Sequence, residues 1–329
     1  MSEKTAIEWC DSTFNPWIGC TKVSPGCDHC YAEVSTPARV KRAAGVETWG
    51  PHGQRQRTSA RNWKQPLEWE RGHAAFHFQH GRRRRVFCAS LADVFDNAVP
   101  EAWRDDLWDL IDATPNLDWL LVTKRIGNVG NMLPVPFDFD RLYPHVWLGI
   151  TVVNQTEANR DVQKLLRVPA RVRFLSVEPM LGPVDLTDIT VGGGHGHHEF
   201  DPIITGNALH RATAGDPSVH WVICGGESGP SARPMHPDWV RSLRDQCAAA
   251  AVPFLFKQWG EWVPRGPEHW GYPIVDNVPR FRMTDRGENG QDLTAEGGTH
   301  VWMNRAGKKA TGRLLDGVEH NGFPEVRHG

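Results

Sequence analysis

The chain has 329 residues, with 37 Lys or Arg against 39 Asp or Glu and a formal net charge of −2. That balance excludes a polycation held to nucleic acid by bulk charge and equally an acidic disordered tail protein. At 40% hydrophobic and 23% charged, the composition is globular and long enough to bury one large core or two smaller ones. No apolar run has the length that spans a bilayer, and the N-terminal MSEKTAIEWCDS lacks a signal-like apolar stretch, so a cytoplasmic protein with no membrane partner is expected.

Taken in chain order, the first specific feature is NPWIGCTKVSPGCDHCYAE, in which Cys20, Cys27 and Cys30 are spaced C-x6-C-x2-C. Asn15-Pro16, Gly19 and Pro25-Gly26 are turn chemistry, so the stretch 15–31 reads as a loop able to curl around a small inorganic centre. Three thiolates on a four-iron four-sulfur (4Fe-4S) cluster leave one iron free for a substrate or cofactor. A fourth ligand from Cys10 or His29 would instead close a structural site.

Residues 52–85 follow as an insertion in which Arg55, Arg57, Arg61, Lys64, Arg71 and Arg82 to Arg85 alternate with Trp63, Trp69, Phe76 and Phe78. Cations neutralise phosphates and rings stack on bases, so this is a candidate nucleic-acid surface; a solvated irregular insertion is the alternative.

Apolar, β-rich runs then recur: RVFCASLADVF near 90, WLLVTKR near 120, HVWLGITV near 148, VRFLSVEPML near 176, WVICGGES near 224 and FLFKQWGEW near 258. Each is apolar on both faces, as strands of a buried parallel sheet are. Between them, helical stripes are predicted over 101–114 (Trp103, Leu107, Leu110, Ile111), 156–168 (Ala158, Val162, Leu165, Leu166) and 237–250 (Val240, Leu243, Cys247). Alternating strand and helix predict an α/β fold with a parallel-stranded, TIM-like barrel, full or partial, over 1–263.

Polar residues sit at nearly every strand's C-terminal end, where barrel enzymes keep their chemistry. Glu178, Glu227 and Lys257 are the catalytic candidates. Ser90, Asp93, Lys124, Asn154, Glu178 and Glu227 are candidates for gripping a cofactor, and Arg125 for a phosphate or carboxylate. Cys88 and Cys224, inside strands, read as buried packing. A Gly- and His-rich insertion, 185–219, carries His195, His197 and His198, and from 264 to 329 the alternation gives way to an irregular C-terminal extension.

The segments AIEWCDSTFNPWIGCTKVSPGCDHCYAE, SVEPMLGPVDL, WVICGGESGPSARPMHPDWVRSLRDQC, FLFKQWGEW and GKKATGRLLDG together resemble a phage- and prophage-associated three-cysteine family regarded as related to radical S-adenosylmethionine proteins. The resemblance runs over most of the chain. It implies a barrel of the radical S-adenosylmethionine type and a 4Fe-4S cluster on Cys20, Cys27 and Cys30. It also implies S-adenosylmethionine as cofactor, a reductase or other electron donor, and a 5′-deoxyadenosyl radical that modifies or repairs a substrate, with a nucleic acid or nucleotide as the leading class. A co-encoded partner protein is a further expectation. The broader superfamily pattern is C-x3-C-x2-C, so the longer first gap here makes the cluster loop bulge. Its Gly-Gly-Glu-like stretch follows an early strand, whereas Gly225-Gly226-Glu227 follows a late one, and Ser90 or Asp93 would have to serve at the early position. Two rivals remain: a non-catalytic metal-stabilised binding protein, and a barrel hydrolase or lyase using Glu178 and Glu227 as paired carboxylates.

Overall fold

Parallel pairing begins earlier in the chain than the apolar runs suggest. A computed structural model describes residue 5 and residues 7–189, 206–210, 217–273, 275, 277–287 and 298–325. Its first strand, β1 (Ser12–Phe14), is followed by β2 (Trp17–Ile18), helix α1 (Thr36–Ala43), β3 (Gln56–Arg57) and the helices α2 (Ala60–Arg71) and α3 (His73–His80). Then come β4 (Arg84–Cys88), α4 (Glu101–Asp112), β5 (Leu117–Thr123), α5 (Ile126–Met132), α6 (Phe139–Leu142), β6 (Val146–Thr151), α7 (Gln155–Arg167) and β7 (Val172–Val177). The last third adds β8 (Trp221–Gly225), α8 (Pro237–Ala249), β9 (Phe254–Gln258), β10 (Val263–Pro264), β11 (Arg280–Thr284), β12 (His300–Asn304) and α9 (Lys308–Thr311).

Seven strands form one sheet in the order β1-β4-β5-β6-β7-β8-β9. Each new strand is added on the same side, with no reversal of direction. That is the winding of a barrel rather than of a doubly wound sheet with its switch point. Among the described residues the sheet does not close: β1 and β9 are its end strands. The fold is therefore α/β with a parallel sheet in the order of a partial barrel. β6 and β8 are buried at every position, and β5 at all but one, which is why their sequences lack alternation.

Two compact units divide the chain. The first runs to Ile150 and includes Val168–Arg173; the second comprises Thr151–Arg167 and the chain from Phe174 onward. In the first, Phe14, Val86, Leu107, Ile111, Leu120 and Leu148 are completely buried. In the second, Val162, Leu165, Phe174, Val222, Leu243 and Phe256 are. Most tryptophans are core filling: Trp17, Trp119, Trp147, Trp221, Trp239 and Trp259 lie among the largest fully buried side chains.

Two sequence expectations need correction. The stretch 52–85 is not irregular, because α2 and α3 occupy most of it. Pro66 inside α2 and the scattered aromatics disguise the period. Nor is the extension after 264 irregular throughout, since β12 pairs antiparallel with both β10 and β11. Residues 320–322 also run antiparallel beside β9: Phe256 N–H donates to the His320 carbonyl at 3.0 Å, and Gly322 N–H to that of Phe254 at 2.9 Å. That pairing covers the backbone groups an exposed end strand would leave open to another chain.

Candidate functional site

The cysteine loop is held from both ends. β1 delivers Asn15, whose side-chain carbonyl accepts from Leu91 N–H at 2.7 Å and whose amide donates to Ser90 Oγ at 3.0 Å. Gly19 adopts φ +114°, and a Cβ there would strike the Thr48 carbonyl, so the turn into Cys20 requires glycine. Ser24 Oγ accepts from Gly26 N–H at 3.0 Å and caps the short turn Pro25–Cys27. Beyond Cys30, the Tyr31 hydroxyl donates to the Ser90 carbonyl at 2.8 Å. Ser90, expected to grip a cofactor, thus anchors the loop at both its beginning and its end.

All three loop thiols are free and half-buried. Cys20 and Cys30 pack against one apolar cluster of Ile18, Ala32, Ala38 and Trp49. Among the described residues, no three His, Cys, Asp or Glu side chains converge as a preformed metal cage. Three thiols on one loop are the donor chemistry that an iron–sulfur centre takes. Cys88 and Cys224 are fully buried packing, as expected, and burial holds both thiols far above the ordinary range.

Behind Cys20 lies a network of opposite charges. Arg125, just past β5, donates from Nη1 to Cys20 Sγ at 3.4 Å and to Asp93 Oδ2 at 3.0 Å, and from Nη2 to the Thr21 carbonyl at 2.7 Å. Asp93 is fixed in turn by the Thr123 hydroxyl at 2.8 Å and by the backbone N–H groups of Phe95 at 3.0 Å and Lys124 at 3.2 Å. Asp96 lies 3.9 Å from Arg125 and 2.8 Å from Arg55, whose side chain is 1% exposed. Arg55 also donates to the Thr21 hydroxyl at 2.6 Å. Burial pushes the Cys20 thiol up to about 11, with Arg125 pulling the other way. Burial opposes the Arg125 charge, yet Asp93, Cys20 and Asp96 together hold that guanidinium above its ordinary value. Two aspartates and two arginines balance, so the network carries no net charge of its own before the thiol ionises.

A cavity of about 280 Å3 borders the loop, lined by Thr21, Lys22, Glu33, Arg42, Glu47 and Trp49, with Gly50 and Pro51. Its charges are paired: Lys22 lies 3.0 Å from Glu33 and Arg42 lies 3.0 Å from Glu47. None of these charged residues is among the candidates read from sequence. Lys22 and Glu33 flank the cysteines, so their nearness to the motif is the one signal that could have raised them.

In the second unit the candidates separate into distinct roles. Glu178, just beyond β7, pairs with Lys257 of β9 at 3.2 Å, and the Ser176 hydroxyl donates to it at 3.4 Å. Gly225 leaves room for this pair, since a Cβ there would come within 2.8 Å of Glu178 Oε1. Glu227 is held differently: Arg233 reaches one of its oxygens at 2.7 Å and the other at 2.9 Å, a buried two-pronged contact. Asn154 caps α7, its Oδ1 accepting from Glu157 N–H at 3.0 Å, while Glu157 accepts from Val153 N–H at 3.1 Å. Asn154 thus caps the first turn of α7, and the Glu157 carboxylate reaches back past it to the preceding residue.

The arginines of 52–85 are largely committed to the protein itself. Arg82 grips Asp11 at 2.6 and 2.9 Å, Arg84 donates to Ser12 Oγ at 3.0 Å and lies over Phe76, and Arg85 is buried over Trp147. Arg57 pairs with Asp106 at 2.6 Å and covers Trp63. His195, His197 and His198 lie outside the described residues.

Fold and loop together define an α/β protein with a parallel sheet in partial-barrel order and a three-cysteine loop after its first strand. The chain belongs to the DUF5131 family, described as "protein of unknown function", whose profile matches residues 4–324. That description names neither a reaction nor a phage association. No curated protein and no solved structure matches the chain. Among the described residues, no helix is long and apolar enough to cross a membrane.

Proposed function

We propose that the protein is an iron–sulfur enzyme of the radical S-adenosylmethionine type, with Cys20, Cys27 and Cys30 as the ligands of a 4Fe-4S cluster. One arrangement carries the reading: three free thiols on a single loop whose two ends are tied to the segment after β4 through Asn15 and Tyr31. Bound, such a cluster would supply the electron that breaks the sulfonium bond of S-adenosylmethionine and yields a 5′-deoxyadenosyl radical for hydrogen abstraction.

The chain's own residues bind, orient and exclude water. Ile18, Ala32, Ala38 and Trp49 give Cys20 and Cys30 an apolar backing that keeps solvent from one side of the thiols. The cavity's two ion pairs, Lys22–Glu33 and Arg42–Glu47, are open to solvent, so a zwitterion such as the methionine part of the cofactor could exchange with them, its carboxylate toward Lys22 or Arg42 and its ammonium group toward Glu33 or Glu47. Of the catalytic candidates, Glu178 is held by the longer contacts, with Lys257 Nζ 3.2 and 3.4 Å from its two oxygens, whereas Arg233 holds those of Glu227 at 2.7 and 2.9 Å, so a polar substrate group would displace the Glu178 partner more readily. Arg82, Arg84 and Arg85 are spent on internal partners and play no part in this reading.

The test is turnover. Protein purified without oxygen, then given dithionite and S-adenosylmethionine, is expected to release 5′-deoxyadenosine, and Cys27→Ala to release none. A wild-type protein that carries iron and sulfide yet leaves S-adenosylmethionine intact would contradict the enzymatic reading.

A further inference from the structure

Arg125 meets the cysteine loop in a way that loop anchoring alone does not need. Its Nη2 already ties down the loop backbone at Thr21, 2.7 Å away. Its Nη1 is directed at the sulfur of Cys20, 3.4 Å away, and the same nitrogen is steadied by Asp93 at 3.0 Å. The Arg125 side chain is 9% exposed and that of Asp93 7%, so the contact is shielded from solvent screening. Among the described residues, no cation contacts the sulfur of Cys27 or Cys30. The three thiols are thus electrostatically unequal.

We propose that Arg125 is a positioning residue that holds Cys20 as the distinct ligand of the cluster, donating a charge-assisted N–H···S bond to its thiolate and keeping electron density on that sulfur low. The inference rests on the iron–sulfur reading and adds to it an asymmetry among the ligands. The physical basis is general: hydrogen bonds to ligand sulfurs and nearby positive charge favour the reduced, more negative state of a cluster, and so raise its potential. Asp93 and Asp96 serve to aim the guanidinium and balance its charge when the thiol is protonated.

The experiment is a redox titration, followed by electron paramagnetic resonance, of anaerobically reconstituted wild type, Arg125→Gln and Arg125→Lys, with iron and sulfide counted in each. The midpoint is expected to move to more negative potential in Arg125→Gln, and by a smaller step in Arg125→Lys, which keeps the charge and loses the fork. Equal midpoints in cluster-loaded wild type and variants would overturn the inference and leave the iron–sulfur reading standing. A wild type that takes up no iron and sulfide would overturn both. If Arg125→Gln does not fold, Arg125→Lys decides alone: a negative shift supports the role, and an unchanged midpoint removes it.

Discussion

Each compact unit contains an aspartate bracketed by two arginines, and the two clusters differ in what they leave over. In the first unit, Asp96 lies between Arg55 and Arg125, all at most 9% exposed, and Arg125 extends the network to the Cys20 sulfur. In the second, Asp316 of the GRLLDG segment takes Arg241 at 2.6 Å and Arg244 at 3.1 Å and accepts from the Tyr272 hydroxyl at 3.0 Å. There every partner faces another, and the side chains of Asp316 and its arginines are about one-quarter exposed. The second cluster is a clasp that ties the C-terminal segment to α8. The first has the same components, buried more deeply, with the Cys20 sulfur added at its edge.

Burial ranks the expected effects. Asp96→Ala leaves Arg55 and Arg125 short of a buried counter-charge and is expected to cost about 3–5 kcal/mol in chemical denaturation, because an unpaired buried charge keeps its full desolvation penalty. Asp316→Ala, where solvent can enter, is expected to cost about 1–3 kcal/mol. Equal losses would remove the distinction.

Acid sharpens it next. Burial lowers His145 and His236 below the ordinary imidazole value of 6.5, so the unfolded chain binds their protons more readily. Their contribution is complete above about pH 6.5 and is lost as the pH falls below it. Burial opposes ionisation of Asp316 and Asp11, but Arg241 and Arg82 outweigh it and hold both carboxyls below the ordinary 3.8. Stability from these two is full above that value and lost beneath it. A urea midpoint followed from pH 8 to pH 3 is expected to decline in two stages, and His145→Gln to shallow the first. A midpoint flat between pH 7.5 and 5.5 would contradict the histidine assignment.

The smallest effect falls on the loop itself. Tyr31→Phe removes one partly exposed hydrogen bond and is expected to cost about 0.5–1.5 kcal/mol. Iron loading should fall more than stability does, since the bond fixes the residue next to Cys30. Unchanged loading would mean that the Ser90 anchor has no bearing on the thiols.

Much of the sheet was legible because parallel strands buried on both faces announce themselves as apolar runs. The strands expected near 90, 120, 148, 176, 224 and 258 correspond to β4 through β9, and the helices to α4, α7 and α8. β1 was not legible: Ser12-Thr13-Phe14 is short and two-thirds polar, and it is a strand because β4 lies beside it. The Cys20 loop could be read from its turn residues and spacing, whereas Arg55 and Asp96 could not. Opposite charges 41 residues apart carry no local period, and their pairing exists only once the fold has brought them together. Asn154 and Glu227 illustrate the converse difficulty. A polar residue at a strand's end looks like a site residue whether it faces a ligand, caps the next helix or grips an arginine, and only the partner tells which.

The most direct measurement is the metal content of protein purified without oxygen. Iron and acid-labile sulfide in near-equal amounts, retained through gel filtration and lost together in Cys20→Ala, Cys27→Ala and Cys30→Ala, is the predicted result. A colourless protein holding zinc, or one whose iron survives the removal of any of those cysteines, would contradict it.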